Sequence, residues 1–259
     1  HGTVEDIAYC CSDDADITVL EIGPGIGCLT RELAARYRNV VALEIDGGLI
    51  PVLRYTLDGY KNVRVENSDV MKTNLEEILK PYFSAGKVSV CANLPYYITT
   101  PILMKLLESR LPFDSITVMV QSEVADRICA GAGNKNCGAI TAAIDYFGQT
   151  NALFTVTSDN FMPVPKVDSS VVQIKLWKEK PVVPSNEDIF FRTVKAAFEQ
   201  RRKTLANSLM TGFPEIQKQR LTEIITSCGH SADIRGEKLT VKDFCRLSDK
   251  LYEELGHSV

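Results

Sequence analysis

The chain is poor in histidine and lacks paired cysteines of the kind that hold zinc. Histidine occurs three times, as His1, His230 and His257, and none of the eight cysteines belongs to a Cys-x-x-Cys pair. A zinc site is therefore not expected. Cys10, Cys11, Cys28, Cys91, Cys129, Cys137, Cys228 and Cys245 include several that sit in apolar runs, where a free thiol behaves as a small hydrophobe. They read as reduced, buried thiols of a cytoplasmic protein. No apolar run approaches a membrane span, and the first residues lack the pattern of a signal peptide. A basic excess is missing as well. The net charge of −4 argues against a generally basic nucleic-acid binder and leaves only local clusters to meet phosphate.

What is present is ordinary for a soluble globular protein. The 259 residues are 45% hydrophobic and 24% charged, enough for one large domain and a smaller one. Strand-like runs at 17-ITVLEI-22, 40-VVALEI-45, 62-NVRVEN-67, 87-KVSVCAN-93 and 115-SITVMVQ-121 alternate with helical spacing over 28–37, 47–57, 74–83 and 101–109. Such alternation implies βαβ units and a parallel sheet covered on both faces. Two later runs, 151-NALFTVT-157 and 170-SVVQIKLW-177, flank the Pro-rich 161-FMPVPKV-167 and read as a hairpin-like addition to that sheet. After 181-PVVPS-185 only helical segments follow, near 187–211, 214–228 and 240–255. The expected domains are thus 1–180, an α/β domain, and 186–259, all helical.

Chemistry concentrates at the ends of the strands. In 21-EIGPGIG-27 a strand runs into Gly23, Gly25 and Gly27 and a helix follows directly, which lets backbone approach a ligand at a helix N-terminus. Glu44 ends the next strand, where a carboxylate can accept both ribose hydroxyls, and Asp69 follows the third, where it can accept from an adenine amino group. Acceptors at successive strand ends suit an adenosine-containing cofactor. Nicotinamide dinucleotide is one candidate, although its G-x-G-x-x-G/A spacing is not met, because the third glycine comes one place early.

The stretch 93-NLPY-96 decides otherwise. An exocyclic amine on adenine is a poor nucleophile, because its lone pair is delocalised into the ring. The Asn93 side-chain oxygen and the Leu94 carbonyl can accept its two N–H groups and turn the lone pair toward a methyl donor. Pro95 fixes φ and helps aim that carbonyl. Tyr96 offers a stacking face, worth roughly 1–3 kcal/mol. No general base is needed in the transition state, so catalysis is by positioning and electrostatics.

EIGPGIGCLT, VALEID, NSDV, ANLPYYITTPI, VQSEVADRI, FMPVPKVDSSVV and FEQRRKTLANSL occur in order along nearly the whole chain. Together they resemble the KsgA (RsmA) family of ribosomal RNA small-subunit adenine dimethyltransferases. The resemblance implies a class I S-adenosylmethionine-dependent methyltransferase: a Rossmann-like, seven-stranded, mostly parallel sheet with a small C-terminal helical domain that binds rRNA. It implies dimethylation of N6 on two adjacent adenines in the 3′-terminal hairpin loop of 16S rRNA, within the immature small ribosomal subunit. A monomer without metal is expected. Glu21, Gly23, Gly25 and Gly27 then belong to the cofactor turn, with Gly23 by the methionine part, Glu44 at the ribose and Asp69 at the adenine. Asn93 lies beside the transferred methyl, Tyr96 stacks on the target base and Phe161 covers its other face. Base extrusion into such a clamp exposes an atom otherwise stacked. Lys166 and the run Arg201, Arg202 and Lys203 are candidates for phosphate; on consecutive helical positions those three fan around a helix and cannot all meet one phosphate.

One element departs from that family. Its Gln-Asn-Phe-Leu lid, upstream of the first strand, has no match before Ile17, and 1-HGTVEDIAYC-10 reads as the helix that follows it. Loss of the lid would weaken cofactor binding and turnover. Rival readings are the Erm type, which modifies large-subunit rRNA, a ribosome-assembly or transcription factor that kept the fold, and a dehydrogenase. Leu94, FMPVPKVDS and FEQRRKTLANSL favour the small-subunit enzyme over the Erm type, and Asn93 with Tyr96 argues against lost catalysis.

Overall fold

The computed structural model describes residues 2–95, 97–160, 166–200 and 202–256. They form two compact units, one of residues 1–125 with 149–176 and the other of 126–148 with 177–259.

The first unit is an α/β layered structure around one sheet. Its strands are β1 (Thr18–Ile22), β2 (Asn39–Glu44), β3 (Val63–Asn67), β4 (Val88–Asn93), β5 (Phe113–Gln121), β6 (Gly148–Val156) and β7 (Ser169–Leu176). They lie in the order β3-β2-β1-β4-β5-β7-β6. The β1–β2, β2–β3, β1–β4 and β4–β5 pairs are parallel, and β7 is antiparallel to β5. The sheet is thus mostly parallel, and the two late strands form its far edge, as the pattern of the chain implies. All five residues of β1 are buried, which is why it reads as a mainly apolar run without polar alternation, Glu21 excepted.

One face of the sheet is covered by α1 (Thr3–Cys11) and α2 (Cys28–Arg36), whose Ile7, Ala8, Cys11, Leu29, Leu33 and Ala34 join Val19, Val40, Cys91 and Met119 in one apolar cluster. The Tyr37 hydroxyl fastens α1: it donates to the Ala8 carbonyl at 2.7 Å and accepts the Ser12 N–H at 3.0 Å. Burial pushes the Tyr37 hydroxyl up to about 12. The remaining helices of this unit are α3 (Ile50–Thr56), α4 (Leu75–Ala85) and α5 (Thr99–Glu108); α6 (Ser122–Cys129) follows β5, and the sequence pattern had not marked it.

The strand order reverses between β1 and β4, so their connections leave in opposite directions, the place at the carboxyl ends where open α/β sheets bind ligands. Ile22 pairs with Ala92, which sets Gly23 level with Asn93, and Glu44 pairs with Asn67 on the other side. Gly23, Glu44 and Asn93 therefore share the carboxyl end of the sheet. No helix among the described residues is long and apolar enough to cross a membrane.

The second unit is helical, with α7 (Ala139–Phe147), α8 (Glu187–Glu199), α9 (Leu205–Gly212), α10 (Lys218–Ser227) and α11 (Val241–Gly256). Its inclusion of α7 comes from aromatic packing. Tyr146 and Phe147 meet Phe190 and Phe191 of α8 at ring-centroid distances of 4.7 to 5.6 Å, and the Lys180 ammonium sits 4.5 Å above the Tyr146 ring. The single helix expected over 187–211 is corrected to two. The chain breaks at Gln200–Thr204, where the Gln200 carbonyl accepts the Lys203 N–H at 2.8 Å and the Leu205 N–H reaches the Ile234 carbonyl at 2.7 Å.

Candidate active site

The turn after β1 is shaped by its glycines. Gly23, Gly25 and Gly27 have φ of 71°, 58° and 91°, the left-handed region that disfavours any Cβ. Gly27 also lies against α3: a Cβ there would stand 3.0 Å from Thr56 Oγ1 and 3.3 Å from Leu57 Cδ2. The Gly27 N–H closes onto the Pro24 carbonyl at 2.9 Å, and Gly27 then caps α2, whose first N–H groups face the carboxyl end of the sheet.

Glu44 organises the neighbouring strand end. Its two carboxylate oxygens accept the Gly25 N–H at 3.1 Å and the Asp46 N–H at 2.8 Å. An ionised carboxylate has about four acceptor positions, so capacity remains for two further donors such as the hydroxyls of a ribose. The Glu44 carbonyl is held by Asn67 Nδ2 at 2.8 Å and the Ser68 N–H at 2.9 Å. Asp69 closes the following turn, accepting the Met71 N–H at 2.9 Å, and is half-buried.

Glu21 is the anomaly of β1. It is 1% exposed, and neither carboxyl oxygen has a hydrogen-bond partner among the described residues. Burial pushes its carboxyl up to about 8; the nearby Thr30 hydroxyl opposes that shift and the Glu44 charge adds to it. A protonated acid is thus kept in the strand that ends at Gly23. Its register partner is Cys91 on β4, a fully buried thiol raised by its contact with Cys11 and by burial.

Asn93 ends β4 with its side chain exposed and hydrogen-bonded to none of the described residues. Leu94 is buried behind it, and its Cδ2 would lie 3.9 Å from a Cβ on Gly23, so the two motifs pack directly on each other. The Pro95 carbonyl accepts the Ile98 N–H at 3.1 Å and the Thr99 hydroxyl at 3.2 Å, which closes the chain into a turn at the start of α5. Tyr96, Phe161 and Arg201 lie outside the described residues.

Lys166 is exposed in the loop before β7. In the second unit Arg202 and Lys203 are exposed in the break between α8 and α9, so they do not fan around a helix as their spacing implied. The Leu205–Ile234 bond sets that break near Arg235, which is exposed, as is Lys238 three residues on. Those two cations were not picked out from the sequence, because isolated charges some thirty positions away carry no local pattern.

Residues 7–252 match the family described as ribosomal RNA adenine dimethylase. Ribosomal RNA small subunit methyltransferase A of Shouchella clausii is 48% identical over 240 residues, covering 92% of this chain and 81% of that protein. Among solved structures, a dimethyladenosine transferase from Plasmodium falciparum superposes with a TM-score of 0.76 at 25% identity, covering 98% of this chain and 95% of that one. The 23S rRNA methyltransferase ErmE gives a TM-score of 0.71 at 26% identity, covering 96% and 97%.

Proposed function

Because the chain belongs to the ribosomal RNA adenine dimethylase family, we propose that it dimethylates N6 of two adjacent adenines in the 3′-terminal hairpin loop of 16S rRNA. Its fold is the class I methyltransferase fold. The proposed setting is the cytoplasm, on immature small ribosomal subunits, with the protein acting as a monomer and without metal.

The observation that carries this reading is the place of Asn93. It stands level with Gly23 at the carboxyl end of the sheet, on the reversal of strand order, with an amide that no described residue occupies. An acceptor held there can take one N–H of an extruded adenine. The Leu94 carbonyl can take the other, with Leu94 itself anchored by burial. Two acceptors in one rigid turn orient the amine lone pair away from the ring, which is catalysis by preorganisation. Tyr96 and Phe161 are the proposed stacking faces for the base.

S-adenosylmethionine is the proposed methyl donor and supplies a methyl group on a sulfonium. The residues present fit it: the left-handed glycine turn leaves backbone free of side chains, Glu44 keeps acceptor capacity for ribose, and Asp69 can accept from the adenine amine. Gly23, Gly25 and Gly27 form that turn, and Glu21, proposed with them, lies buried in β1 just before it. Lys166 in the first unit, and Arg201, Arg202 and Lys203 in the second, are the proposed phosphate contacts. Each supplies a point charge to an otherwise acidic chain.

The test is mass spectrometry of rRNA after incubation with the protein and S-adenosylmethionine, offering small and large subunits separately. Two adjacent dimethyladenines in 16S rRNA are expected. Methylation of large-subunit rRNA alone would instead support the Erm-type reading, which the likeness to ErmE keeps as second choice. Asn93→Ala is expected to bind immature small subunits and transfer no methyl.

A further inference from the structure

Among the described residues of the first unit, five of the eight exposed large apolar side chains lie by the strand ends that carry the site, while Tyr9, Val52 and Tyr55 lie on α1 and α3. Ile26 follows β1, Ile45 follows β2, Met71 follows β3 and Tyr97 follows β4. Val167 precedes β7, whose start lies beside the carboxyl end of β5 because Ser169 pairs with Gln121. Apolar surface scattered singly needs no explanation, but a rim around the site points to something that covers it.

Tyr97 stands out on this rim. It is 85% exposed, and no large apolar side chain among the described residues is more so. Its hydroxyl has no hydrogen-bond partner and its ring meets no other ring among them, so the fold makes no use of it. Its backbone, by contrast, is fixed. The turn that carries it is stapled by the Ile98 N–H and the Thr99 hydroxyl, both bonded to the Pro95 carbonyl. A rigid backbone presenting a bare aromatic ring with only two side-chain torsions loses little entropy on contact.

We propose that Tyr97 is a stacking platform for the nucleotide next to the adenine being methylated. The inference rests on the proposed RNA methylation and deepens it. Extruding one base toward Asn93 strips its neighbour of a stacking partner. An aromatic face four residues on from Asn93, held at the rim of the site, replaces the lost partner and lowers the cost of extrusion. Stacking on a π-face tolerates any base, so the contact serves two adjacent targets in turn, each with a different neighbour.

Methyl transfer to unmethylated small ribosomal subunits tests this, with kcat, KM for the subunit and cofactor affinity measured for Tyr97→Phe, Tyr97→Trp and Tyr97→Ala. Tyr97→Ala is expected to raise KM about tenfold with cofactor affinity unchanged. Tyr97→Phe and Tyr97→Trp, which keep a π-face, are expected to stay within about twofold of wild type. Tyr55→Ala, an equally exposed tyrosine on α3, is the control and leaves KM unchanged. An unaltered KM in Tyr97→Ala, or a loss that Tyr97→Phe shares, overturns the platform while leaving the methylation reading intact. A wild-type protein that methylates no small-subunit adenine overturns both.

Discussion

The carboxylate of Glu44 reaches across from the end of β2 to the N–H of Gly25, 3.1 Å away in the turn after β1. A side chain that could close a ribose site thus also sets the backbone of the glycine turn. The second oxygen, on the Asp46 N–H at 2.8 Å, fixes the rotamer. Glu44→Gln can place an oxygen on only one of these donors and turns its amide toward the other. Hydrogen bonds to a charged acceptor are worth about 1.5–3 kcal/mol, so S-adenosylmethionine affinity is expected to fall by about tenfold or more. Isothermal titration of the cofactor measures it; an affinity equal to wild type would remove Glu44 from the site.

Gly27 carries a second prediction, and it concerns stability. Its φ of 91° disfavours a side chain, and a Cβ would press on Thr56 Oγ1 at 3.0 Å. The left-handed backbone alone costs about 1–2 kcal/mol, and the contact adds to it. Gly27→Ala is expected to lower stability by at least that amount in urea unfolding. Thr56→Ala alone gives up the hydroxyl's bond to the Ile26 carbonyl at 2.9 Å, so it is the reference. Adding Gly27→Ala to it is expected to cost less than adding Gly27→Ala to wild type, but still at least the backbone's share. No cost of Gly27→Ala in the Thr56→Ala background would show that the backbone conformation is not the constraint.

Much of this architecture was legible because the central strands β1 and β4 are buried on both faces and read as mainly apolar runs without alternation. The acceptors at strand ends followed from the same reading, since Glu44 and Asn93 each close a run. Other features had no local signature. In α7, six of the nine residues are buried, so it shows no polar face to give helical spacing away. The break after α8 contains neither glycine nor proline, and a bond to Ile234, far along the chain, holds it. The placement of α7 with the later helices depends on rings from α7 and α8 meeting in space. Glu21 is different: an acid inside an apolar strand was visible in 18-TVLEI-22, but only the structure reveals that it lacks a partner.

The Tyr37 hydroxyl is expected to add to the apolar packing that holds α1. It accepts the Ser12 N–H at 3.0 Å and donates to the Ala8 carbonyl at 2.7 Å, the latter in a buried setting. Tyr37→Phe keeps the ring and leaves both backbone groups unpaired. A buried polar group without a partner costs about 1–3 kcal/mol, so a loss of that size is expected. Amide exchange should localise it to Thr3–Ser12, and exchange there unchanged from wild type would show that α1 is held by its apolar face alone.

Glu21 gives a pH dependence with a definite sign. Its carboxyl is pushed from 4.5 up to about 8 in the folded protein, chiefly by burial, so between those values the folded state holds a proton that the unfolded chain has released. The folded state then binds more protons, and stability falls as pH rises through that window. The contribution of the protonated acid is fully present below about 4.5 and lost above about 8. For one proton the slope reaches about 1.4 kcal/mol per pH unit. Glu21→Gln has no proton to lose at this position. Urea unfolding of both proteins at pH 5, 6, 7 and 8 should therefore show the variant gaining on wild type at each step. A constant difference across the series would mean that Glu21 is ionised throughout, and that a cation or water meets it within the sheet.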